Sequence, residues 1–293
     1  MKKCLFTGVC TALVTPFEEG KVNFAILENL LQRQIDAGIQ AVVLCGTTGE
    51  SPTLTEEEKI SIFRFAKEQA GNRMTIIAGT GSNNTSHVLE LSRKAEDAGA
   101  DGLLVVSPYY NKATNEGLIA HYEAILEAVD IPIIVYNVPS RTGQDIPVEV
   151  YHNLSRHNKI AGVKEAGGNI TKISKTIALC GEDLPVWSGN DDMILPVMAL
   201  GGKGVISVVS NIVPKESKAL TDAALQGDQK IARALQYKLL PLIEALFCQV
   251  NPIPVKEAMK ILGYDCGPCR LPLTSMDDQK RRMLQKILEN LEQ

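Results

Sequence analysis

The sequence predicts an α/β protein: a closed (β/α)8 barrel with a C-terminal helical appendage. Three observations lead there. Eight short apolar runs of strand type recur between residues 8 and 208. Amphipathic stretches with helical spacing alternate with them, and parallel strands need such crossovers. The runs are apolar nearly throughout, as strands covered on both faces are. Eight units over roughly 225 residues match a closed barrel, for which about 250 residues is typical. An open doubly wound sheet would show fewer strands and a glycine-rich phosphate loop after the first one. Here the first run leads into TPFEEGK (15–21), with no G-x-G-x-x-G and no Walker A pattern.

Each element has its own signal. GVCTALV (8–14) reads as the first strand. The preceding MKKCLF gives the outline of a secretory signal, but Thr7, Gly8 and Thr11 interrupt the apolar stretch and no small-x-small cleavage site follows. FAILENLLQRQIDAG (24–38) carries apolar residues at 26, 27, 30, 31 and 35, the helical period, with Gly38 as the stop. AVVLC (41–45) is the second strand. TEEEKISIFRFAKEQAG (55–71) opens with Thr55 and Glu58, a capping box, and closes on Gly71. TIIAG (75–79), a helix over 86–100, GLLVV (102–106) and a helix over 115–130 follow. The last four strands are IPIIVY (131–136), IAGVK (160–164), LPVWSG (184–189) and GVISV (204–208). After Gln226-Gly227-Asp228 the alternation stops, and 228–293 reads as helical, broken by NPIP (251–254) and YDCGPCRLP (264–272). The expected division is a barrel over 1–227 that carries the site, and a helical domain over 228–293.

Composition narrows the function class. A net charge of −4 with no basic stripe offers nothing to a nucleic acid. No apolar run approaches the ~18 residues of a membrane span. Seven scattered cysteines, an odd number, argue against a secreted disulfide framework and for a reducing cytoplasm. CGPC (266–269) lies in a loop rather than between a strand and a helix N-terminus, where a redox thiolate would be stabilised. Two thiols alone do not complete a zinc site.

Barrel enzymes place their chemistry at the C-terminal strand ends. Those ends bring Gly46-Thr47-Thr48-Gly49-Glu50-Ser51, Ser107-Pro108-Tyr109-Tyr110-Asn111, Tyr136-Asn137 with Ser140-Arg141, Lys164-Glu165, and Ser188-Gly189-Asn190-Asp191. The four histidines (His87, His121, His152, His157) are elsewhere, so a histidine-ligated metal or a Ser-His-Asp triad is not expected. What remains is one amine, several hydroxyls and one guanidinium. An amine at a dry barrel mouth points to Schiff-base catalysis, because burial disfavours the ammonium that cannot attack a carbonyl. Tyr136 ends the preceding strand and can relay protons, with Thr48 next in line. The Thr47–Thr48 amides, in a glycine-flanked turn, suit a carboxylate, and Arg141 offers a planar fork for a second one. Each residue has a plainer reading: a strand-end lysine is usually a solvated head on an apolar stem, and a tyrosine there is usually packing with a wet tip. Their coincidence on adjacent strand ends favours the chemical reading.

GTTGES (46–51), SPYYNK (107–112), YNVPSRTG (136–143), GVKEA (162–166), SGND (188–191) and GVISV (204–208) resemble, in order and spacing, the dihydrodipicolinate synthase family of pyruvate-dependent class I aldolases. The resemblance implies a metal-free, cofactor-free barrel enzyme that condenses pyruvate with L-aspartate 4-semialdehyde on the route to diaminopimelate and lysine. It implies Lys164 as the Schiff-base residue and Tyr136, Thr48 and Tyr110 as the proton relay. It further implies that Tyr110 would be supplied by a neighbouring subunit, so that the assembly would be a dimer at least and commonly a tetramer. Thr47 would bind the pyruvate carboxylate, with Gly189 and Ile206 lining that pocket, and Arg141 would anchor the semialdehyde carboxylate. N-acetylneuraminate lyases and 2-keto-3-deoxy sugar acid aldolases share the lysine and tyrosine; Arg141 and the Tyr109-Tyr110 pair favour the synthase pattern. A barrel that has lost catalysis and only binds is the third reading, and the intact Lys164, Tyr136, Thr48 and Arg141 speak against it.

Many members are inhibited by lysine at a subunit interface. Ser51, Asn83 and Tyr109 match parts of that regulatory site. Glu56, Lys59 and His87 stand where strongly sensitive members carry His, His and Glu, so the carboxylate that would meet the effector's ammonium is missing. Lysine added at millimolar concentration is therefore expected to leave the condensation rate nearly unchanged. An enzyme assay that finds strong inhibition at or below that level contradicts the assignment.

Overall fold

The computed structural model describes residues 4–291. Lys2 and Lys3, on which the secretory reading turned, lie outside the described residues. Eight parallel strands close into a barrel. They are β1 (Gly8–Ala12), β2 (Ala41–Leu44), β3 (Thr75–Gly79), β4 (Gly102–Val106), β5 (Ile133–Asn137), β6 (Ile160–Glu165), β7 (Val186–Ser188) and β8 (Gly204–Ser207). Each strand pairs with its neighbours in sequence, and β8 closes on β1 through Gly8↔Gly204 to Thr11↔Ser207. All eight runs read from the sequence are strands, and their ends move by at most two residues. The first stops at Ala12, although the Leu13 amide still donates to the Val43 carbonyl at 3.0 Å. A two-residue ribbon, Phe17–Glu18 against Lys21–Val22, was not expected from the sequence.

Helices α1 (Phe24–Asp36), α2 (Glu56–Ala70), α3 (Thr85–Asp97) and α4 (Asn115–Ala128) occupy the expected stretches. Each is capped by the polar residue before it: the Asn23, Asn84 and Thr114 side chains accept from backbone amides of the first turn, and Thr55 with Glu58 forms the full reciprocal box. Further on come α5 (Pro139–Thr142), α6 (Val148–Leu154), α7 (Ile170–Cys180), α8 (Ile194–Ala199) and α9 (Pro214–Leu225). The C-terminal part holds α10 (Gln229–Leu246), α11 (Ile253–Ile261) and α12 (Asp278–Leu291).

Strand alternation splits the core into two layers. Val43, Ile77, Leu104, Ile134, Trp187 and Ile206 face inward and fill the barrel, where Phe6 stacks on Trp187 with ring centroids 4.7 Å apart. Val42, Leu44, Ile76, Val105 and Val135 face outward against the helices. Strand β6 breaks the alternation. Ile133 pairs with Ile160 but Ile134 pairs with Gly162, so Ala161 is an extra residue in a bulge. Ile160 and Val163 both lie in the outer core and Ala161 in the inner one. From Ile160, unbroken alternation would turn residue 164 outward. The bulge reverses the parity, and Lys164 pairs with the inward-facing Tyr136.

The bulge requires glycine at its second position. Gly162 has φ +152°, and a methyl group there would lie 2.2 Å from the Pro185 carbonyl oxygen and 2.6 Å from the Trp187 ring. Gly162→Ala is expected to lower stability by about 3 kcal/mol or more. Urea unfolding followed by circular dichroism measures it; a variant within 1 kcal/mol of the parent would show that the bulge tolerates a side chain.

Candidate active site

Tyr136 and Lys164 are Cα partners at the ends of β5 and β6. Lys164 is only 5% exposed, and its Nζ lies 4.3 Å from the centroid of the Tyr136 ring. The amine is thus dry, set against an aromatic face that favours a positive charge. Gly189 leaves room for its stem: a methyl group at 189 would lie 3.1 Å from Lys164 Cε and 2.6 Å from Ala166 Cβ. Ile206 belongs to the same inner cluster as Tyr136. Asp191, fully buried after β7, accepts from the Val208 and Val209 amides at 2.9 Å each. Burial holds its carboxyl above the usual carboxylate range; the Ser207, Val209 and Val208 hydrogen bonds and the Lys164 charge act the other way.

A cavity of about 440 Å³ opens at this end of the barrel. Its wall includes Gly46, Thr47, Tyr136, Val138, Arg141 and Thr142, together with Ser51, Lys59, His87 and Tyr109. Lys164, Gly189 and Ile206 are not in the wall; Lys164 adjoins it through the Tyr136 ring. The two threonines part company. Thr47 lines the cavity, while Thr48 is buried and its hydroxyl accepts from Asn251 Nδ2 at 3.0 Å. Arg141, in α5, lines the cavity and donates from Nη2 to the Asn251 carbonyl at 3.3 Å. Tyr110 does not join them: it is 93% exposed, on left-handed backbone (φ +69°), and absent from its own chain's cavity wall. Of the regulatory candidates, Ser51 and Tyr109 line the same cavity, and Asn83 accepts from Asn111 Nδ2 through its carbonyl at 2.9 Å.

Behind the strand ends is a buried polar network that sequence reasoning missed. Glu165, the outward neighbour of Lys164, is buried. Its Oε1 accepts from Asn137 Nδ2 and the Gly167 amide, each at 2.8 Å, and its Oε2 from the Tyr151 hydroxyl at 2.9 Å. Lys172 Nζ is 3.3 Å from Oε2 and also pairs with Asp145, which accepts from Asn137 as well. Burial, then the Glu165 charge, pushes the Tyr151 hydroxyl well above its ordinary range, so it stays a donor. The paired outer residues Asn137 and Glu165 thereby tie together the strands whose inner residues are Tyr136 and Lys164. Tyr151 and Lys172 come from α6 and α7, and nothing in their local sequence marks them as partners of a strand end.

The histidines lie in α3, α4 and α6 and in the loop after α6; only His87, in the first turn of α3, lines the cavity. Among the described residues no group of three or more His, Cys, Asp or Glu side chains is placed to hold a metal ion. The CGPC thiols are held protonated, Cys266 being pushed up to about 12 by burial and Cys269 to about 11 by burial and the Glu50 charge. That is the opposite of a redox-active thiol.

A family profile described as the dihydrodipicolinate synthetase family matches residues 5–291. A protein of Thermoanaerobacter pseudethanolicus, named 4-hydroxy-tetrahydrodipicolinate synthase, is 48% identical over 285 residues, 97% of this chain and 96% of that one. One of the same name from Acetivibrio thermocellus is 45% identical over 290 residues, 99% of each. Among solved structures, dihydrodipicolinate synthase from Aquifex aeolicus superposes with a TM-score of 0.96 at 45% identity over 98% of both chains.

Tyr151→Phe removes one donor from Glu165 and leaves the rest in place. It is expected to cost about 2 kcal/mol, as a hydrogen bond to a charged group does. Urea titration reads the loss, and a change under 0.5 kcal/mol would mean that Lys172 alone satisfies that oxygen.

Proposed function

The chain belongs to the dihydrodipicolinate synthetase family, and from that premise we propose that it is a lyase of the class I aldolase type that condenses pyruvate with L-aspartate 4-semialdehyde in diaminopimelate and lysine biosynthesis. One observation carries the reading: a lysine with 5% exposure whose Nζ is 4.3 Å from the ring of a strand-end tyrosine.

Lys164 Nζ adds to the keto carbon of pyruvate, and the keto oxygen leaves as water. The iminium draws electrons from the methyl group, which loses a proton and becomes an enamine carbon. That carbon attacks the aldehyde of the second substrate. The amino group of the joined product then displaces Lys164 from the imine carbon, closing the ring and freeing the amine. Every step moves a proton, and Tyr136 is the hydroxyl beside the amine. Its relay partner is Thr47, which shares the cavity wall with it. Thr48, with the amides of the turn, takes the pyruvate carboxylate; its hydroxyl already accepts from Asn251. This reverses the roles expected of the two threonines from the motif alone. Gly189 and Ile206 shape the pyruvate pocket, and Arg141 holds the semialdehyde carboxylate with its planar fork. Nothing in the chemistry asks for a cofactor.

Tyr110 extends the relay from a second copy, because its ring, 93% exposed, does not meet its own chain's cavity. A dimer is then the smallest active unit, and a tetramer of two such dimers is the proposed assembly. The barrel over 1–227 carries the chemistry and 228–293 forms the helical domain, although Asn251 reaches into the site. Among the described residues no helix is long and apolar enough to cross a membrane. None of the seven cysteines forms a disulfide, which suits a cytoplasmic setting.

Borohydride reduction in the presence of pyruvate tests the reading. Lys164 is expected to gain the mass of reduced pyruvate, and Lys164→Ala to gain none. Tyr136→Phe is expected to slow condensation by about 10²–10⁴-fold, and Arg141→Ala to impair use of the semialdehyde far more than of pyruvate. A wild-type protein that traps no pyruvate overturns the proposal, and one that traps it but turns over N-acetylneuraminate instead moves the chain to the sugar-acid branch.

A further inference from the structure

The turn that carries Thr47 and Thr48 is strained at both ends. Cys45 (φ +53°) and Glu50 (φ +57°) flank Gly46–Gly49, and both hold left-handed backbone. Residues other than glycine stay in that region only where their surroundings hold them there. The side chain of Glu50 is what the surroundings grip. Its carboxylate is 1% exposed and outside the cavity wall, so it meets no substrate. Oε1 accepts from Lys256 Nζ at 2.9 Å and Oε2 from the Arg270 amide at 2.8 Å. Lys256, in α11, is 3% exposed. It also donates to the Thr15 and Pro268 carbonyls at 3.1 Å each, and lies 4.5 Å from the centroid of the Phe17 ring. Five residues before it, Asn251 reaches the same turn through Thr48 and the α5 segment through Arg141.

A buried ion pair is weak as a source of stability, since an apolar pair of similar volume often serves as well. Fixing one geometry is a different service. We propose that Glu50 and Lys256 are positioning residues: their buried pair pins the strained turn so that the Thr48 hydroxyl and the turn amides are set for a substrate carboxylate, with Asn251 as a second tie from the same C-terminal segment. This rests on the reading above that Thr48 and the turn amides take the pyruvate carboxylate. A turn held in advance loses no freedom when the carboxylate arrives, and one left free must be ordered by the ligand.

The test is the double variant E50Q/K256M. It keeps the acceptor for the Arg270 amide and leaves no unpaired charge buried. K256M takes the donor from the Thr15 and Pro268 carbonyls, so the melting midpoint is expected to fall by a few degrees, while the KM for pyruvate rises about tenfold and kcat falls by a smaller factor through Thr47. A purely structural pair would shift the melting midpoint and leave the KM alone, and a folded double variant with the parent's KM overturns the proposal. Should the double variant not fold, Glu50→Asp, which keeps the charge and shortens its reach, is measured instead: a KM raised about threefold supports the proposal, and an unchanged one overturns it. The parent's borohydride trapping separates the two levels. If the parent traps no pyruvate, the functional reading has failed; if it traps pyruvate and the variants bind it equally well, only the positioning role has failed.

Discussion

The contact of Lys164 with the Tyr136 ring is what the rest of the structure serves. It exists because of one extra residue in β6. An unbroken strand would turn position 164 toward the helices, where a lysine has no chemical use. The bulge at Ala161-Gly162 reverses the inner and outer faces, and it is tolerated because the next residue lacks a side chain where Pro185 and Trp187 press in. A ladder irregularity thus aims a functional side chain, a use to which bulges are often put.

Dryness alone would leave that amine badly placed if the strand ends were free to shift. They are held from behind by the outward neighbours. Asn137 donates to Glu165 across β5 and β6, and Tyr151 and Lys172 complete the donors to the carboxylate. Removing one partner of such a buried pair typically costs about 3–5 kcal/mol, because the other charge is stranded. Loss of a charged partner therefore costs more than loss of the Tyr151 hydroxyl, and the charges do most to hold the register.

The same solution recurs at the other side of the site. Glu50 and Lys256 repeat the theme of Glu165 and Lys172: a strand-end carboxylate, out of reach of the cavity, paired with a lysine from the surrounding helices. One pair sits behind the amine and its tyrosine, the other behind the threonine turn. The C-terminal helices are thereby part of the site's architecture. Asn251, with contacts to both Thr48 and Arg141, joins two segments that are 93 residues apart in the chain.

What the amino-acid sequence determined by itself was everything with a period or a motif. Strand apolarity, helical spacing and caps such as Thr55 with Glu58 are local, so the eight-unit barrel and its first helices could be read directly. So could the candidates at strand ends, since chain order places them there once the barrel is granted. Tertiary structure alone decided the rest. Which face Lys164 takes depends on a bulge that the apolar pattern of IAGVK does not announce. That Thr47 lines the cavity while Thr48 bonds Asn251, about 200 residues away in sequence, is equally tertiary. Tyr151, Lys172 and Lys256 carry no local mark, because the pairing of a buried charge is a long-range event set by packing. Periodicity reports which side of an element is apolar; it does not report which polar group waits on the other element.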